Sequence, residues 1–507
     1  MSDSDTNSQG RMLEYVRSSP LGEDGKFLLT ANPEVRTCLD CIYHGFELAK
    51  EQDCIGRKSG YSNDYEWFSY NQSLIAEFGC YHYSIVVVPV YDTFKASLVL
   101  EILQEIDPGV IVTDSNERAK QLMSIGRTQS LHSIIITSEN IHQETLSYAS
   151  SKGLQLYPFT EVERLGSMNP SPVKLPKPTD LAVINFTSGT TGLPKGVLLT
   201  HANLVASMSA LLLQILCMFY SGGRVGIYFG DFKDLSRDLP VLQPTIMVCV
   251  PRILNRIYHR VITKVKGNWV KSRVLDVALK SKHPETVFNE NVKNSIWDKL
   301  VFKTVKQSLG GNLKLLISGS NQISNIVLNF MRNSLGCTVL QSYDITECAS
   351  FVTLTMFDDQ SPKHLGQPIA CNVVKLVDVP EFNICTKESG IGEICVKGTN
   401  VFSGYYKDHD TYQGQMDDEG WFHTNDIGMW LSNGCLKFID RKEDLSFISN
   451  PYGKLIAPNK IENIYIQSIY VGQCYVDVDY DRGYLIGIIV PDIGMIFGYG
   501  FELFSVG

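Results

Sequence analysis

The sequence contains no run of about 18 apolar residues, so it offers no candidate for a transmembrane helix. Its first ten residues, MSDSDTNSQG, have neither the basic nor the apolar part of a signal peptide. There is no basic surplus either. Lys and Arg number 45 against 54 Asp and Glu, a net charge of −9, which argues against a general nucleic-acid binder. Thirteen cysteines are present, yet they lack the dense, even spacing of a disulfide scaffold. The single CxxC, Cys38-Leu-Asp-Cys41, has no second pair at zinc-site distance and reads as one helical turn with small, half-buried thiols. A soluble or peripherally bound intracellular protein is the expectation.

What is present is a chain of 507 residues, 44% hydrophobic, long enough for several domains with substantial cores. Residues 35–51 have helical apolar spacing and 66–70 read as extended. SIVVVPVY (84–91), 110–113 and SIIIT (133–137) are β-branched runs that predict buried strands. Short strands alternating with helical patterns predict an α/β architecture with a largely parallel sheet. Residues 169–180 hold four prolines in twelve positions and are expected to run extended over the surface. From Gly390 the texture turns to short strands and turns, and the charged DRKED stretch (440–444) reads as a linker.

The sharpest motif is Thr187-Ser-Gly-Thr-Thr-Gly-Leu-Pro-Lys195-Gly196, which follows the apolar run 181–186. Hydroxyls and glycine N–H groups delivered by a buried strand can wrap a polyphosphate, and Lys195 adds a mobile positive charge. The spacing is not that of a Walker A loop. A flexible surface turn with a solvated lysine is the bland alternative.

FTSGTTGLPKGVLLTHANL (186–204) resembles the phosphate-binding signature of the adenylate-forming superfamily of acyl-CoA synthetases, luciferases and peptide-synthetase adenylation domains. SYDITE (342–347), GEICVKGTNVFSGYYKD (392–408), GWFHTNDIG (420–428) and IDRKEDL (439–445) are similar to further motifs of that superfamily, in the same order. Residues 222–258 and GKLIAPNKIENIY (453–465) resemble the long-chain fatty acyl-CoA synthetase branch. The resemblance implies a large N-terminal α/β domain with sheet subdomains and a β-rich subdomain (31–439). A polar lead-in (1–30) would precede it, and a hinge (440–445) and a small, truncated C-terminal α+β domain (446–507) would follow. It implies ATP-dependent activation of long-chain fatty acids to acyl-CoA, with ATP, Mg²⁺ and coenzyme A. The expected setting is a peripheral position on the endoplasmic reticulum or another membrane, or else the cytoplasm, with no nucleic-acid partner. Thr187, Ser188, Gly189, Thr190, Thr191, Gly192 and Lys195 would hold the phosphates. Thr346 would contact the α-phosphate region, Glu347 would ligand Mg²⁺, Tyr343 would stack on adenine, Asp426 would accept the ribose hydroxyls, and Arg441 would assist at ribose or phosphate. Taken alone, Glu347 and Asp426 read as a helix-start and a turn carboxylate.

Several positions depart from the family pattern. Ser342 and Asp344 replace glycines, which predicts a strained loop with a carboxylate near phosphates. Asn425 replaces another glycine but tolerates left-handed geometry. Asn321-Gln322 stands where an Ala-Pro pair lines the adenine pocket. Only twenty residues separate His201 from Gly222, leaving no counterpart of an LPLAH-type segment, and a similar gap falls near 78–83. After Arg441 the family's C-terminal lysine motif is absent. Two other readings therefore stand beside the ligase: a catalytically disabled form retaining partial nucleotide binding, and an aryl-CoA ligase or luciferase-like enzyme.

Overall fold

The computed structural model describes residues 16–20, 27–58, 64–69, 77–91, 94–126, 128–138, 140–188, 194–211, 215–227, 235–266, 268–281, 296–319, 323–357, 359, 361, 363–443, 446–447, 455–456, 458–466, 468, 470–479 and 484–491. They form two compact units, one built from 1–73, 202–401 and 410–507, the other from 74–201 and 402–409.

In the larger unit, Ile246–Cys249, Leu315–Ser318 and Thr338–Ile345 pair in parallel, and the sheet then turns antiparallel through Ser350–Leu354 and Gln367–Pro368. Leu315–Ser318 is buried at every position, as a strand covered on both faces requires. Helix Asn325–Leu335 covers it. Ser324 accepts from Val327 N–H at one end, and Gly336 takes the left-handed conformation at the other (φ 62°). Its buried Val327, Leu328, Phe330 and Met331 pack with Leu316, Val339 and Leu254.

The same unit holds a five-stranded antiparallel sheet in the order Val16–Ser18, Asn372–Val377, Ile391–Gly398, Phe422–Trp430, Leu436–Arg441. The expected lead-in thus supplies its edge strand. Helix Cys38–Ala49 starts in a capping box, with Asp40 N–H donating to Thr37 Oγ1 at 3.2 Å and Thr37 N–H to Asp40 Oδ2 at 2.8 Å. Cys38 and Cys41 lie buried on it as free thiols. Near the C-terminus, helix Pro458–Tyr465 meets the hairpin Val471–Asp479/Tyr484–Pro491, tied by Val476 N–H to Glu462 Oε1 at 2.8 Å.

The smaller unit has a parallel sheet of Val110–Thr113, Ser133–Ile136 and Gln155–Pro158, with helices between its strands, and an antiparallel ribbon, Leu181–Ser188 with Pro194–Thr200. SIVVVPVY is not the strand its composition predicts. Only Val87 makes a bridge, to Val183, and Ile85 and Tyr91 are more than half exposed. Pro89 has no N–H to extend a ladder. Residues 169–177 run without regular structure and are largely exposed, as their prolines predict.

Candidate active site

Tyr343 and Asp426 are the best-defined pair. Tyr343 lies two residues from the end of strand Thr338–Ile345, where parallel pairing gives way to antiparallel, the usual place for a ligand in such sheets. Thr346–Cys348 form one turn of 3₁₀ helix, closed by Ala349 in the left-handed region (φ 51°) with its N–H on Thr346 O at 3.0 Å. That turn reverses the chain and presents Thr346 and Glu347.

Asp426 lies on Phe422–Trp430, immediately after Asn425, whose φ is 59°. Asparagine therefore does adopt the left-handed geometry in which the family has glycine. The strain expected at Asp344 is absent: Asp344 is not among the described residues with positive φ. A register shift between Tyr343 and Asp344 absorbs the change. Ser342 Oγ donates to Asp344 Oδ1 at 3.2 Å. A Cβ at Gly319 would stand 2.5 Å from the same oxygen, so that glycine makes room for the carboxylate.

Tyr343 Oη donates to Asp426 Oδ2 at 2.6 Å, and both residues are buried. Arg441 Nε stands 3.9 Å from Asp426 Oδ1, with its side chain half exposed. Burial pushes the Asp426 carboxyl up to about 6. The Tyr343 hydrogen bond and Arg441 oppose that shift, and the charge of Glu347 adds to it. Burial, then Asp426, holds the Tyr343 hydroxyl well above its ordinary pKa, so it remains a donor. The result is a desolvated carboxylate beside a phenol and a guanidinium, suited to accept hydroxyl donors. The charge of Glu347 is close enough to disfavour ionisation of Asp426.

A network that sequence reasoning missed holds this strand in place. Glu393 Oε1 accepts from Asn425 N–H at 3.1 Å, and Glu393 Oε2 faces His423 Nδ1 at 3.3 Å and Lys442 Nζ at 3.8 Å. Lys442 also pairs with Glu381 at 2.6 Å, and its N–H donates to Asn425 O at 2.7 Å. The available signal was a carboxylate inside the apolar strand Ile391–Gly398, where Glu393 is buried. Asp440 is also buried and ends inside strand Leu436–Arg441, while Asp444 and Leu445 of the expected hinge lie outside the described residues.

In the smaller unit, Thr187 pairs with Lys195 and Ser188 with Pro194, so the ribbon brings the two ends of the glycine-rich loop together. Gly189, Thr190, Thr191 and Gly192 lie outside the described residues, as do Asn321 and Gln322. Lys195 Nζ sits 5.5 Å from the centre of the Tyr405 ring, a cation–π contact. A Cβ at Gly196 would meet Ile184, Phe186 and Tyr406 at 3.0–3.1 Å, tighter than ordinary packing, so a methyl there would press on all three side chains.

The family model described as "AMP-binding enzyme" matches residues 70–406. Long-chain-fatty-acid–CoA ligase 1 of Cavia porcellus is 35% identical, over 94% of this chain and 77% of its own length. A peroxisomal long chain acyl-CoA synthetase 7 of Arabidopsis thaliana is 31% identical, over 91% and 74%. The match to the Cavia protein runs over 541 positions, more than the 507 residues here, so that relative carries internal segments with no counterpart in this chain. Among solved structures, the A domain of a carboxylic acid reductase from Segniliparus rugosus, determined with AMP and a co-purified carboxylic acid, aligns with TM-score 0.75. It shares 17% identity over 93% of this chain and 84% of that one. The corresponding domain from Mycobacterium chelonae gives TM-score 0.73 at 20% identity, over 94% and 83%. These structures share the mixed α/β fold.

Proposed function

The chain belongs to the AMP-binding enzymes and, among them, to the long-chain-fatty-acid–CoA ligases, and from that premise we propose how its residues carry the reaction. The reaction activates a long-chain fatty acid with ATP through an acyl-adenylate and passes the acyl group to coenzyme A. A carboxylate oxygen attacks the α-phosphorus and pyrophosphate leaves. The CoA sulfur then attacks the carbonyl carbon and AMP leaves. Both steps depend on placing charged groups and neutralising them.

In this reading Asp426 accepts the ribose hydroxyls, Arg441 assists it, and Tyr343 stacks on adenine. The observation that carries the reading is the buried Tyr343–Asp426 hydrogen bond with Arg441 alongside. Without a ligand, so buried a carboxylate gains little from its position. Thr187, Ser188, Gly189, Thr190, Thr191, Gly192 and Lys195 bind the phosphates, and Thr346 contacts the α-phosphate. Glu347 holds Mg²⁺, which when bound neutralises phosphate charge. Asp440–Leu445 is the hinge before a C-terminal domain. A membrane surface is the source of so apolar a substrate, although no helix among the described residues is long and apolar enough to cross one.

ATP with Mg²⁺ is expected to raise thermal stability, by about 2.7 kcal/mol at a hundredfold excess over Kd. Lys195→Ala and Glu347→Ala are each expected to remove most of that shift. If both variants keep it in full, the assignment of phosphate and metal residues is wrong.

A further inference from the structure

Residues 251–281 contain eight Lys or Arg and one acidic residue, Asp276, in a chain whose net charge is −9. They form helices Pro251–Lys266 and Trp269–Ser281. On the first, Arg252, Arg256, Arg260 and Lys264 are exposed at four-residue spacing and so share one face. None of the four forms an ion pair with a described residue.

The second helix buries Leu275 and Ala278 against Phe302, with Val261 and Val265 of the first helix packed beside them. Its opposite face is apolar and open: Trp269 is 80% exposed, and Val270, Val274 and Val277 are 50%, 39% and 45% exposed. Exposed Arg273 and Lys280 interrupt that face. Three valines turned to water offer a nucleic acid neither charge nor a face for base stacking. Together with a surplus of basic side chains they match a helix that lies in a lipid interface.

We propose that this helical pair is the surface by which the chain docks on an anionic phospholipid bilayer, with Trp269, Val270, Val274 and Val277 entering the headgroup region and the basic residues meeting lipid charge. The proposal rests on the ligase reading only for its purpose, since a fatty acid is supplied from a membrane. The charge complementarity is its own evidence: Lys271 and Arg273 are exposed on the same helix as Trp269, Val270, Val274 and Val277.

The test uses the full chain with vesicles of phosphatidylcholine, with and without phosphatidylserine. The chain is expected to sediment with the phosphatidylserine vesicles and much less with phosphatidylcholine alone, and to be released by high salt. Trp269 fluorescence is expected to shift to the blue on binding, and Trp269→Phe to remove most of that change. Lys271→Glu/Arg273→Glu and, separately, Trp269→Ser/Val277→Ser are expected to lower partitioning at least tenfold. All four side chains are exposed, so the variants are expected to keep the wild-type melting temperature. Absence of binding to phosphatidylserine vesicles, undiminished binding by both double variants, or preferential binding to RNA or an acidic protein would overturn the proposal. AMP release with palmitate in detergent micelles, measured on the same preparations, separates the two readings. Vesicle binding lost in the variants while no form releases AMP would leave docking standing and the ligase reading failed.

Discussion

Asp426 is a carboxyl whose burial costs the fold something. Its pKa of about 6 in the native state, against about 3.9 in an unfolded chain, means that the native state holds its proton more tightly. Its contribution to stability is therefore most favourable below about pH 4. It declines as pH rises through about 6, leaving a penalty of about 3 kcal/mol near neutrality. Asp426→Asn is thus expected to raise unfolding stability at pH 7.5 by about 1–3 kcal/mol, with the gain shrinking towards zero near pH 4. The same substitution is expected to weaken ATP binding at least tenfold. Denaturant unfolding across that pH range decides it, and a variant less stable than wild type at pH 7.5 would show that the site favours the charged form. Stability given up for a functional carboxylate is a common bargain at active sites.

The strands that carry these residues are held by close approach and by charge. Gly196→Ala places a methyl against Ile184, Phe186 and Tyr406, and is expected to cost about 1–3 kcal/mol in thermal unfolding. No loss would mean that the ribbon has slack. In the larger unit, Glu393 acts on the strand beside its own: it holds the Asn425 N–H and raises the His423 pKa, chiefly through their hydrogen bond. A raised histidine contributes stability that is full below about pH 6.5 and fades as pH climbs through its native pKa. Glu393→Gln keeps an acceptor for Asn425 but loses the charge. The His423 pKa, followed by NMR, is expected to fall, and the variant to be destabilised more at pH 6 than at pH 8. An unchanged His423 pKa would rule out the pairing.

Most of these elements were legible as sequence. The β-branched runs at 110–113 and 133–137, the apolar run ending in the glycine-rich loop, and the three β-rich motifs after Gly390 all became strands, but 110–113 is not the buried strand expected, since Val110 and Val112 are exposed. SIVVVPVY did not, because a single internal proline outweighs β-branched composition. Nor could local pattern show that Val16–Ser18 completes a sheet with residues more than 350 positions away, since pairing of that range leaves no periodic trace. The Tyr343–Asp426 pair was found only as two separate motif positions. Glu393, Lys442 and His423 were hidden because a structural network of charges has no fixed spacing.

At the scale of the whole molecule, the chain keeps the fold of the adenylation domains and the ordered motifs of the long-chain ligases, while internal segments of its relatives are missing from it. The remaining residues are expected still to activate a fatty acid. The measurement that tests this expectation most directly is AMP release from ATP by the purified chain, with palmitate and CoA supplied or withheld. AMP formation is expected to require palmitate, to accelerate with CoA and to disappear in Glu347→Ala. A folded chain that is stabilised by ATP yet releases no AMP under any of these conditions would contradict it.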